Sequence, residues 1–334
     1  MIATFQIATR SRSNTRSKVT TTLTLSLLTP AGTRYWFRMN MINLEQRRAG
    51  LLYGAFVAEA LALGVHWIYD TNEIERRGRA SGYTAPGKDS YHPNKQAGEQ
   101  GHVGDQALWL LDFLRQNSKW DADAFMADWA SRWASYDDYV DGATTTTLQN
   151  LENGQPRLEA ASASDELAGP ARGTPLIVQL ATGSEEDVVK ATLEQNNLTH
   201  RSAAAAEATE FLARASHRLM HGATLDEVIR DTAPAWAIEA AEGVQGLGAV
   251  EAIGRLGQSC SASAALPGVI FLALKYGTDT DSAFVENAMA GGDSCARALV
   301  LGALLGAAHG LDSIREEWRR DLCAAPRIDA FLNC

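Results

Sequence analysis

The chain has 334 residues, of which 46% are hydrophobic and 21% charged, a composition typical of a soluble globular protein with one large or two ordinary domains. Positions 1–44 hold six of the 30 basic residues and no acidic residue, so the rest has 24 basic against 40 acidic residues, a net charge of −16. Such a surface repels nucleic acids and anionic membranes, and we expect neither as a partner. No apolar stretch reaches the roughly 18 residues that a membrane span needs.

The four cysteines show neither CxxC pairs nor zinc-like spacing, so the sequence predicts no disulfide framework and no structural zinc, and a reducing, cytoplasmic location. Residues 1–44 have the Ser/Thr/Arg-rich composition of an organelle transit peptide, which would place the protein in a mitochondrion or plastid. However, Met39 and Met41 directly precede the first predicted helix, as an over-long gene model would also explain. Under either interpretation the extension lies outside the fold, and the folded domain is expected to span residues 45–334.

The first predicted helix runs from Leu44 to Leu63 and has small residues at every fourth position, namely 50, 54, 58 and 62. This spacing lets a second helix approach closely. Glu59 lies in the apolar row of the helix, where an unpaired carboxylate would cost several kcal/mol. We therefore expect Glu59 to have a partner or a function, and His66 follows just after the helix.

A long polar loop, residues 73–103, contains His92 and His102 as well as aromatic residues. A loop of this length in a helical protein is either disordered or part of a site. Its aromatic residues and two histidines favour a lid that covers a site. It leads into Gly104, Asp105 and Gln106, where a glycine is followed by a carboxylate at the start of an apolar helix.

The middle of the chain is predicted to form further helices that carry no candidate functional residues. Phe125, Trp129 and Trp133 recur at helical spacing and predict a core face. A long amphipathic helix is predicted from Ser202 to His221; His217 and His221 lie one turn apart on it, as a metal pair would. No third ligand lies near them in sequence, so surface histidines are the better interpretation. Capping boxes are predicted at Ser184, Thr224 and Ser313.

Near the C-terminus, two glycines and a carboxylate precede another apolar helix, predicted over residues 294–309. Asp293 or Ser294 is the expected N-cap. A capped core helix would explain this segment by itself, but it also places a carboxylate and the thiol of Cys295 at a helix N-terminus. The segment contains these candidate ligand-binding residues: Gly291, Gly292, Ser294 and Arg297.

Helical periodicity continues through residues 244–256, 263–276, 281–290, 294–309 and 312–321, and prolines are few. No long segment of the body alternates in the period of a strand. The sequence therefore predicts an all-α protein, a single orthogonal helical domain whose site lies where the three glycine-led helix starts meet.

The chain resembles the ADP-ribosylglycohydrolase family at three places: Ala58 to Ala62, Gly104 to Ala107, and Asp293 to Ala296. The turn from His66 to Asp70 and the segment from Gly291 to Arg297 resemble most closely the branch that contains the J-type lens crystallins and selenoprotein J. The resemblance implies an all-α fold and hydrolysis of the bond between ADP-ribose and a protein acceptor. It also implies two magnesium ions held by threonine and carboxylate side chains.

Transferred by position, the family pattern keeps the first carboxylate of each later motif, Asp105 and Asp293. It is lost at the other ligand positions, where this chain has Gly104, Gln106, Ala107, Cys295 and Ala296. Glu59 replaces an aspartate of the first motif, and His66 falls near the place of a catalytic glutamate. The resemblance thus implies magnesium at Asp105 and Asp293, with Glu59 as a third ligand, but not a dinuclear site, because Cys295 is soft and Gln106 uncharged.

Two functions fit these residues. The first is a hydrolase acting on a small-molecule or ADP-ribosylated protein substrate. Asp105 or Asp293 would act as general base and His66 as acid, or Cys295 as nucleophile; Gly104 and Gln106 would contact the ligand. The second is a non-catalytic protein of the same fold, either a ligand binder or a crystallin-like structural protein, in which Cys295 is a small apolar replacement. The sequence leaves the oligomeric state open.

Overall fold

The computed structural model describes residues 22–28, 34–40, 42–117 and 119–333. Two strands come first, β1 (Thr22–Leu28) and β2 (Arg34–Asn40). The α-helices that follow are α1 (Leu44–Leu63), α2 (Thr71–Arg77), α3 (His102–Gln116), α4 (Ala122–Arg132), α5 (Gly142–Glu152), α6 (Ala168–Ala171), α7 (Thr174–Gln179), α8 (Glu185–Asn196), α9 (Ala203–Met220), α10 (Leu225–Thr232), α11 (Ala235–Glu242), α12 (Ala249–Leu256), α13 (Ala262–Tyr276), α14 (Thr280–Met289), α15 (Ser294–His309), α16 (Glu316–Asp321) and α17 (Ala325–Leu332).

The two strands form an antiparallel hairpin in the N-terminal extension, with Thr22 opposite Asn40 and Leu28 opposite Arg34. Thr or Ser alternates with Leu across Thr22–Ser26, a pattern typical of a strand, but no strand was predicted in this extension. From residue 42 onward, all regular secondary structure of the described residues is helical apart from two isolated bridges, which confirms the all-α prediction. Most of the predicted transit peptide, including residues 1–21, lies outside the described residues, so this prediction and the domain boundary stay open.

Helices α1 and α15 form the centre of the core and approach each other through their glycines. A β-carbon on Gly54 would overlap the carbonyl oxygen of Gly302, and one on Gly306 would overlap that of Gly50. The small-residue spacing therefore works as predicted, because it brings the two backbones into direct contact. Residues 50–63 of α1 and 294–307 of α15 are all buried. Across the described residues, no helix is both long and apolar enough to cross a membrane.

Most predicted helices are confirmed within a few residues, including α1, α15 and the long helix α9. Phe125 and Trp129 are buried as the core-face prediction requires. The prediction of a capping box at Ser313 is wrong. Ser313 is the last residue of a short 3₁₀ turn, and its hydroxyl donates to the carbonyl of Gly310 at 2.7 Å. Helix α16 therefore begins only at Glu316, after Arg315.

The long loop between α2 and α3 is ordered and packs onto the helices. The Gln100 side-chain amide donates to the carbonyl of Phe56 at 3.3 Å, and the Tyr83 hydroxyl donates to the carbonyl of Trp318 at 2.7 Å. His92, in the middle of the loop, is 2% exposed. Of the two interpretations of this loop, disorder is excluded, and a structured wall over the site remains.

Candidate functional site

Glu59 lies fully buried at the point where the starts of α3 and α15 meet α1. Its Oε1 accepts a hydrogen bond from the backbone N–H of Gly101, the N-cap residue of α3, at 2.8 Å. Its backbone carbonyl lies 3.8 Å from the Cys295 sulfur, near the first turn of α15. The expectation that Glu59 has a partner is thus confirmed, and the partner comes from the predicted second helix start.

The second carboxyl oxygen of Glu59, Oε2, has no hydrogen-bond partner, and neither does Oε1 of Gln100. Burial, reinforced by the negative charge of Asp105, raises the pKa of Glu59 to about 8 against the opposing Gly101 N–H and Lys95. A β-carbon on Gly104 would lie 2.8 Å from Gln100 Oε1 and 3.0 Å from Glu59 Oε2. Gly104, predicted to contact a ligand, therefore makes room for these two oxygens, and Glu59 carries a proton at neutral pH.

This raised pKa predicts a pH-dependent stability. The folded state keeps a proton on Glu59 that the unfolded chain loses above the ordinary pKa of a glutamate. The free energy of unfolding therefore falls as the pH rises from about 4.5 to 8. Glu59→Gln removes this effect and should stabilise the protein by about 3 kcal/mol at pH 7 and by little at pH 4.5. Urea unfolding of both proteins across this range measures the difference.

The control is Glu45→Gln, the same change at an exposed carboxylate of the same helix, which measures the effect of the substitution away from the buried site. A difference between Glu59→Gln and its parent that stays constant from pH 4.5 to 8 would contradict the assignment of the proton.

Asp105 is mostly buried, and one of its oxygens, Oδ2, accepts two hydrogen bonds. Lys95 Nζ donates to it at 2.5 Å and the Tyr136 hydroxyl at 2.8 Å. Burial raises the pKa of Asp105 despite the attraction of Lys95. The ammonium group of Lys95 neutralises this oxygen, so the neighbourhood of Asp105 already holds its counter-charge.

Asp293 differs from Asp105 because it has no counter-ion within salt-bridge distance and keeps a free oxygen. The residue is 4% exposed; Oδ2 accepts from the Trp67 indole N–H at 3.4 Å, and Oδ1 has no partner. Burial raises the pKa of Asp293 to about 6, with Arg297 acting in the opposite direction. Asp293 is therefore ionised at neutral pH and can accept a proton just below it.

The turn after α1 is locked to the start of α15 by two backbone hydrogen bonds. Trp67 N–H donates to the carbonyl of Gly292, and Gly292 N–H donates to the carbonyl of Ile68, both at 2.8 Å. Trp67 has a φ of 61°, a left-handed conformation that is rare for a large side chain and that marks a constrained position. Gly291 and Gly292 also have positive φ, and a side chain on Gly292 would strike Gln258.

Arg297 holds this turn in place through buried hydrogen bonds. Its guanidinium is fully buried and donates to Asn287 Oδ1 at 2.7 Å and to the carbonyl of Gly291 at 2.8 Å. Burial lowers the pKa of Arg297 to about 10, so it stays charged. The contacts of Gly291, Gly292 and Arg297, predicted to bind ligand, are thus with the protein's own backbone and side chains, and they position Asp293.

Gln106 and Ser294, the other predicted ligand contacts, are also turned into the protein. Gln106 Oε1 accepts from the Trp129 indole at 2.8 Å, and its amide donates to the carbonyl of His102 at 3.2 Å. Ser294 is fully buried, and its carbonyl accepts from Asn287 at 3.0 Å. Both residues therefore lie behind the site, although the predicted ligand contacts themselves stay predictions.

Cys295 and His66 are brought together: the backbone N–H of Cys295 donates to His66 Nδ1 at 3.3 Å. Burial, and then the charges of Glu59 and Asp293, raise the pKa of the thiol well above its usual value. Burial and the neighbouring histidines lower the pKa of His66 well below its usual value. A protonated thiol and a neutral imidazole disfavour Cys295 as nucleophile and His66 as general acid, and both roles stay predictions.

Sequence reasoning missed several polar residues of this region. Asp141, the N-cap of α5, is buried with Arg172, whose Nη2 lies 2.5 Å from Asp141 Oδ2. Asp138 pairs with His92 at 2.7 Å. The signal for Asp141 was its place directly before a predicted helix, where an aspartate acts as an N-cap. Nothing in the local pattern pointed to Lys95 or Tyr136 as partners of Asp105.

The residues predicted to hold magnesium do not cluster as direct ligands of one ion, and the magnesium site itself stays a prediction. Within residues 42–117 and 119–333, the one group of three or more His, Cys, Asp or Glu side chains whose ligand atoms all lie within 4.8 Å of one another is His66, His92 and His102. Glu59, Asp105 and Asp293 form no such group. Magnesium requires several converging oxygen ligands, and Lys95 already neutralises Asp105.

A solved structure described as an ADP-ribosylglycohydrolase-related protein complex is similar, with a TM-score of 0.68 and 21% identity over 87% of this chain and 97% of the other; this shows a shared fold. No curated protein matches the chain significantly. The sequence profile of the ADP-ribosylglycohydrolases matches residues 40–333. The chain therefore belongs to the ADP-ribosylglycohydrolase family.

Proposed function

We propose that this protein is a hydrolase that cleaves a glycosidic bond in ADP-ribosylated or related substrates, with Asp293 as its reactive carboxylate and without a magnesium pair. Family membership supports a hydrolase-like function. The observation that carries the proposal is the free Oδ1 of Asp293, a buried carboxylate oxygen without a partner at the start of α15.

The two carboxyl groups of the site differ in protonation between pH 6 and 8. Asp293, with a pKa of about 6, is ionised in this range, whereas Glu59, with a pKa of about 8, holds its proton. Opposite protonation of two carboxyl groups is what paired base and acid catalysis of glycoside cleavage requires. In this mechanism Asp293 takes a proton from the water that attacks the anomeric carbon, and Glu59 gives its proton to the departing acceptor atom as the glycosidic bond breaks.

Exposed aromatic rings beside Asp293 support a nucleotide-containing substrate. Tyr69 is 55% and Tyr91 64% exposed. The ring of Tyr91 meets that of Trp67 edge to face at 5.0 Å, and Trp67 donates to Asp293. Exposed rings of this kind stack on nucleobases, as the adenine of ADP-ribose would allow.

The experiment measures hydrolysis of ADP-ribose linked through nitrogen and through oxygen, in magnesium and in chelator, from pH 5 to 8. We expect equal rates in both buffers, a rise in rate through pH 6, and a loss of at least about 100-fold in kcat/KM for Asp293→Asn. Asp279→Asn is the matched control, because Asp279 is also a helix N-cap but is exposed and lies at the N-terminal end of α14, whereas Asp293 follows the C-terminal end. Full activity in Asp293→Asn, or no turnover of any linkage, would overturn the proposal.

A second function, ligand binding without turnover, is favoured by one observation. The ammonium group of Lys95 on Asp105 places a fixed positive charge at a position where the family resemblance implies a catalytic cation. Calorimetry distinguishes the two functions: an inactive binder takes up ADP-ribose and leaves every ADP-ribosyl bond intact. A crystallin-like structural protein would neither bind ADP-ribose nor cleave an ADP-ribosyl bond.

A further inference from the structure

Three buried histidines meet where the loop before α3 packs against the turn after α1. One ring nitrogen from each of His66, His92 and His102 lies within 4.8 Å of the other two. The three residues are 6%, 2% and 3% exposed. They come from well-separated positions in the sequence, and neither the predicted site nor the proposed hydrolysis uses them as a group.

Each ring has a nitrogen that lacks a hydrogen-bond partner: Nε2 of His66, Nε2 of His92 and Nδ1 of His102. Buried polar atoms in proteins are nearly always satisfied by a protein group, a water molecule or an ion. Three adjacent imidazole rings that each leave one nitrogen unsatisfied therefore indicate a bound water molecule or ion.

A carboxylate hydrogen-bonded to His92 sets which nitrogen of that ring is free, and a second carboxylate lies near His102. His92 Nδ1 lies 2.7 Å from Asp138 Oδ2, which keeps a proton on Nδ1 and leaves the lone pair on Nε2. His102 Nε2 lies 3.8 Å from Asp141 Oδ2, on the far side of the ring from the unpartnered Nδ1. A carboxylate behind a histidine is the usual support of a metal-binding imidazole.

We propose that His66, His92 and His102 form a binding site for a divalent transition cation of the zinc class. Neutral imidazole nitrogens bind zinc and its neighbours well, whereas magnesium prefers oxygen. With zinc–nitrogen bonds of about 2.0–2.1 Å, three imidazole rings at tetrahedral angles have centroids about 5.2 Å apart. The three centroids here are 5.7, 5.4 and 6.2 Å apart, so side-chain shifts of about 1 Å or less close the site.

Binding at His66 Nε2 requires that the proton of this ring lie on Nδ1. That nitrogen accepts from the Cys295 N–H at 3.3 Å, so metal binding gives up this hydrogen bond. The bond is long, and a metal–nitrogen bond is much stronger. The inference rests on the placement of the three rings and on their unpartnered nitrogens, and it stands whether or not the protein hydrolyses ADP-ribosyl bonds.

The test titrates zinc into the full chain, without an affinity tag, in competition with a chromophoric chelator, and repeats the titration with magnesium. We expect one zinc ion per chain, no competition by magnesium, and a tetrahedral absorption spectrum when cobalt replaces zinc. His92→Asn and His102→Asn should each weaken zinc binding at least about 100-fold, and Asp138→Asn about 10- to 100-fold.

The matched control changes the other close histidine pair, His217→Asn with His221→Asn, whose rings lie 4.3 Å apart on the surface of α9. Zinc affinity should be unchanged in this variant. Circular dichroism in chelator checks that each variant folds; if a variant does not, the parent's cobalt spectrum and zinc stoichiometry decide. Absence of stoichiometric zinc, zinc unaffected by the His92 and His102 changes, or a crystal soaked in zinc that shows only water between the three rings would overturn the proposal.

Discussion

Replacing Gly302 with alanine is expected to destabilise the protein by about 3 kcal/mol or more, although alanine has the higher helix propensity. A β-carbon at this position would overlap the Gly54 carbonyl and come within 2.9 Å of the Ala55 nitrogen. Both obstacles are backbone atoms of α1, so no rotamer change relieves the overlap. The two central helices must move apart, and the surrounding core loses its packing.

Gly254→Ala is the matched control for this prediction. Gly254 is also helical, in α12, but nothing lies within 4 Å of the position its β-carbon would take. There the gain in helix propensity should stabilise the protein by about 0.5–1 kcal/mol. Urea unfolding of both variants gives the comparison; a loss in Gly302→Ala no greater than about 1 kcal/mol would contradict the close helix approach.

Asp141→Ala should destabilise the protein by about 3–5 kcal/mol, because it leaves a buried guanidinium without its counter-charge. Arg172 is 2% exposed, and its Nε and Nη1 already lack hydrogen-bond partners, so Asp141 carries its neutralisation. The Asp141 side chain also accepts from the Thr144 N–H at 2.6 Å and so caps α5. Removing both contributions makes this loss far larger than that of a cap alone.

Asp121→Ala separates the two contributions. Asp121 caps α4 in the same way, accepting from the Ala124 N–H at 2.9 Å, but it is exposed and pairs with no buried cation. Its removal should cost about 1 kcal/mol. Equal losses for Asp121→Ala and Asp141→Ala in thermal or urea unfolding would mean that the buried ion pair adds nothing.

The loss at Asp141 should also depend on pH. Burial acts to raise the pKa of this carboxyl, but Arg172 and the neighbouring charges outweigh it, and the pKa lies well below its ordinary value. A depressed pKa means that the stabilisation is fully present above the ordinary carboxyl pKa and is lost as the pH falls through the folded-state pKa. The difference between Asp141→Ala and its parent should therefore shrink below about pH 4.

The sequence alone predicted most of the helices and the close approach of the two central ones. Small residues spaced by four along α1, among them Gly50 and Gly54, predict the close approach of a second helix, and the structure places them against Gly306 and Gly302 of α15. The apolar surroundings of Glu59 in the sequence predicted a partner, found in Gly101. These features follow from local periodicity and from the cost of burying a charge, both of which can be read along one helix.

The tertiary structure decided which groups share the site and in what charge state. Lys95 meets Asp105 only because the long loop folds back over α3, and His66, His92 and His102 converge only when that loop packs beside the turn after α1. No motif spacing encodes either contact. The raised pKa of Glu59 and of Asp293 likewise depends on how much water the packed helices exclude, and this exclusion is a property of the assembled core.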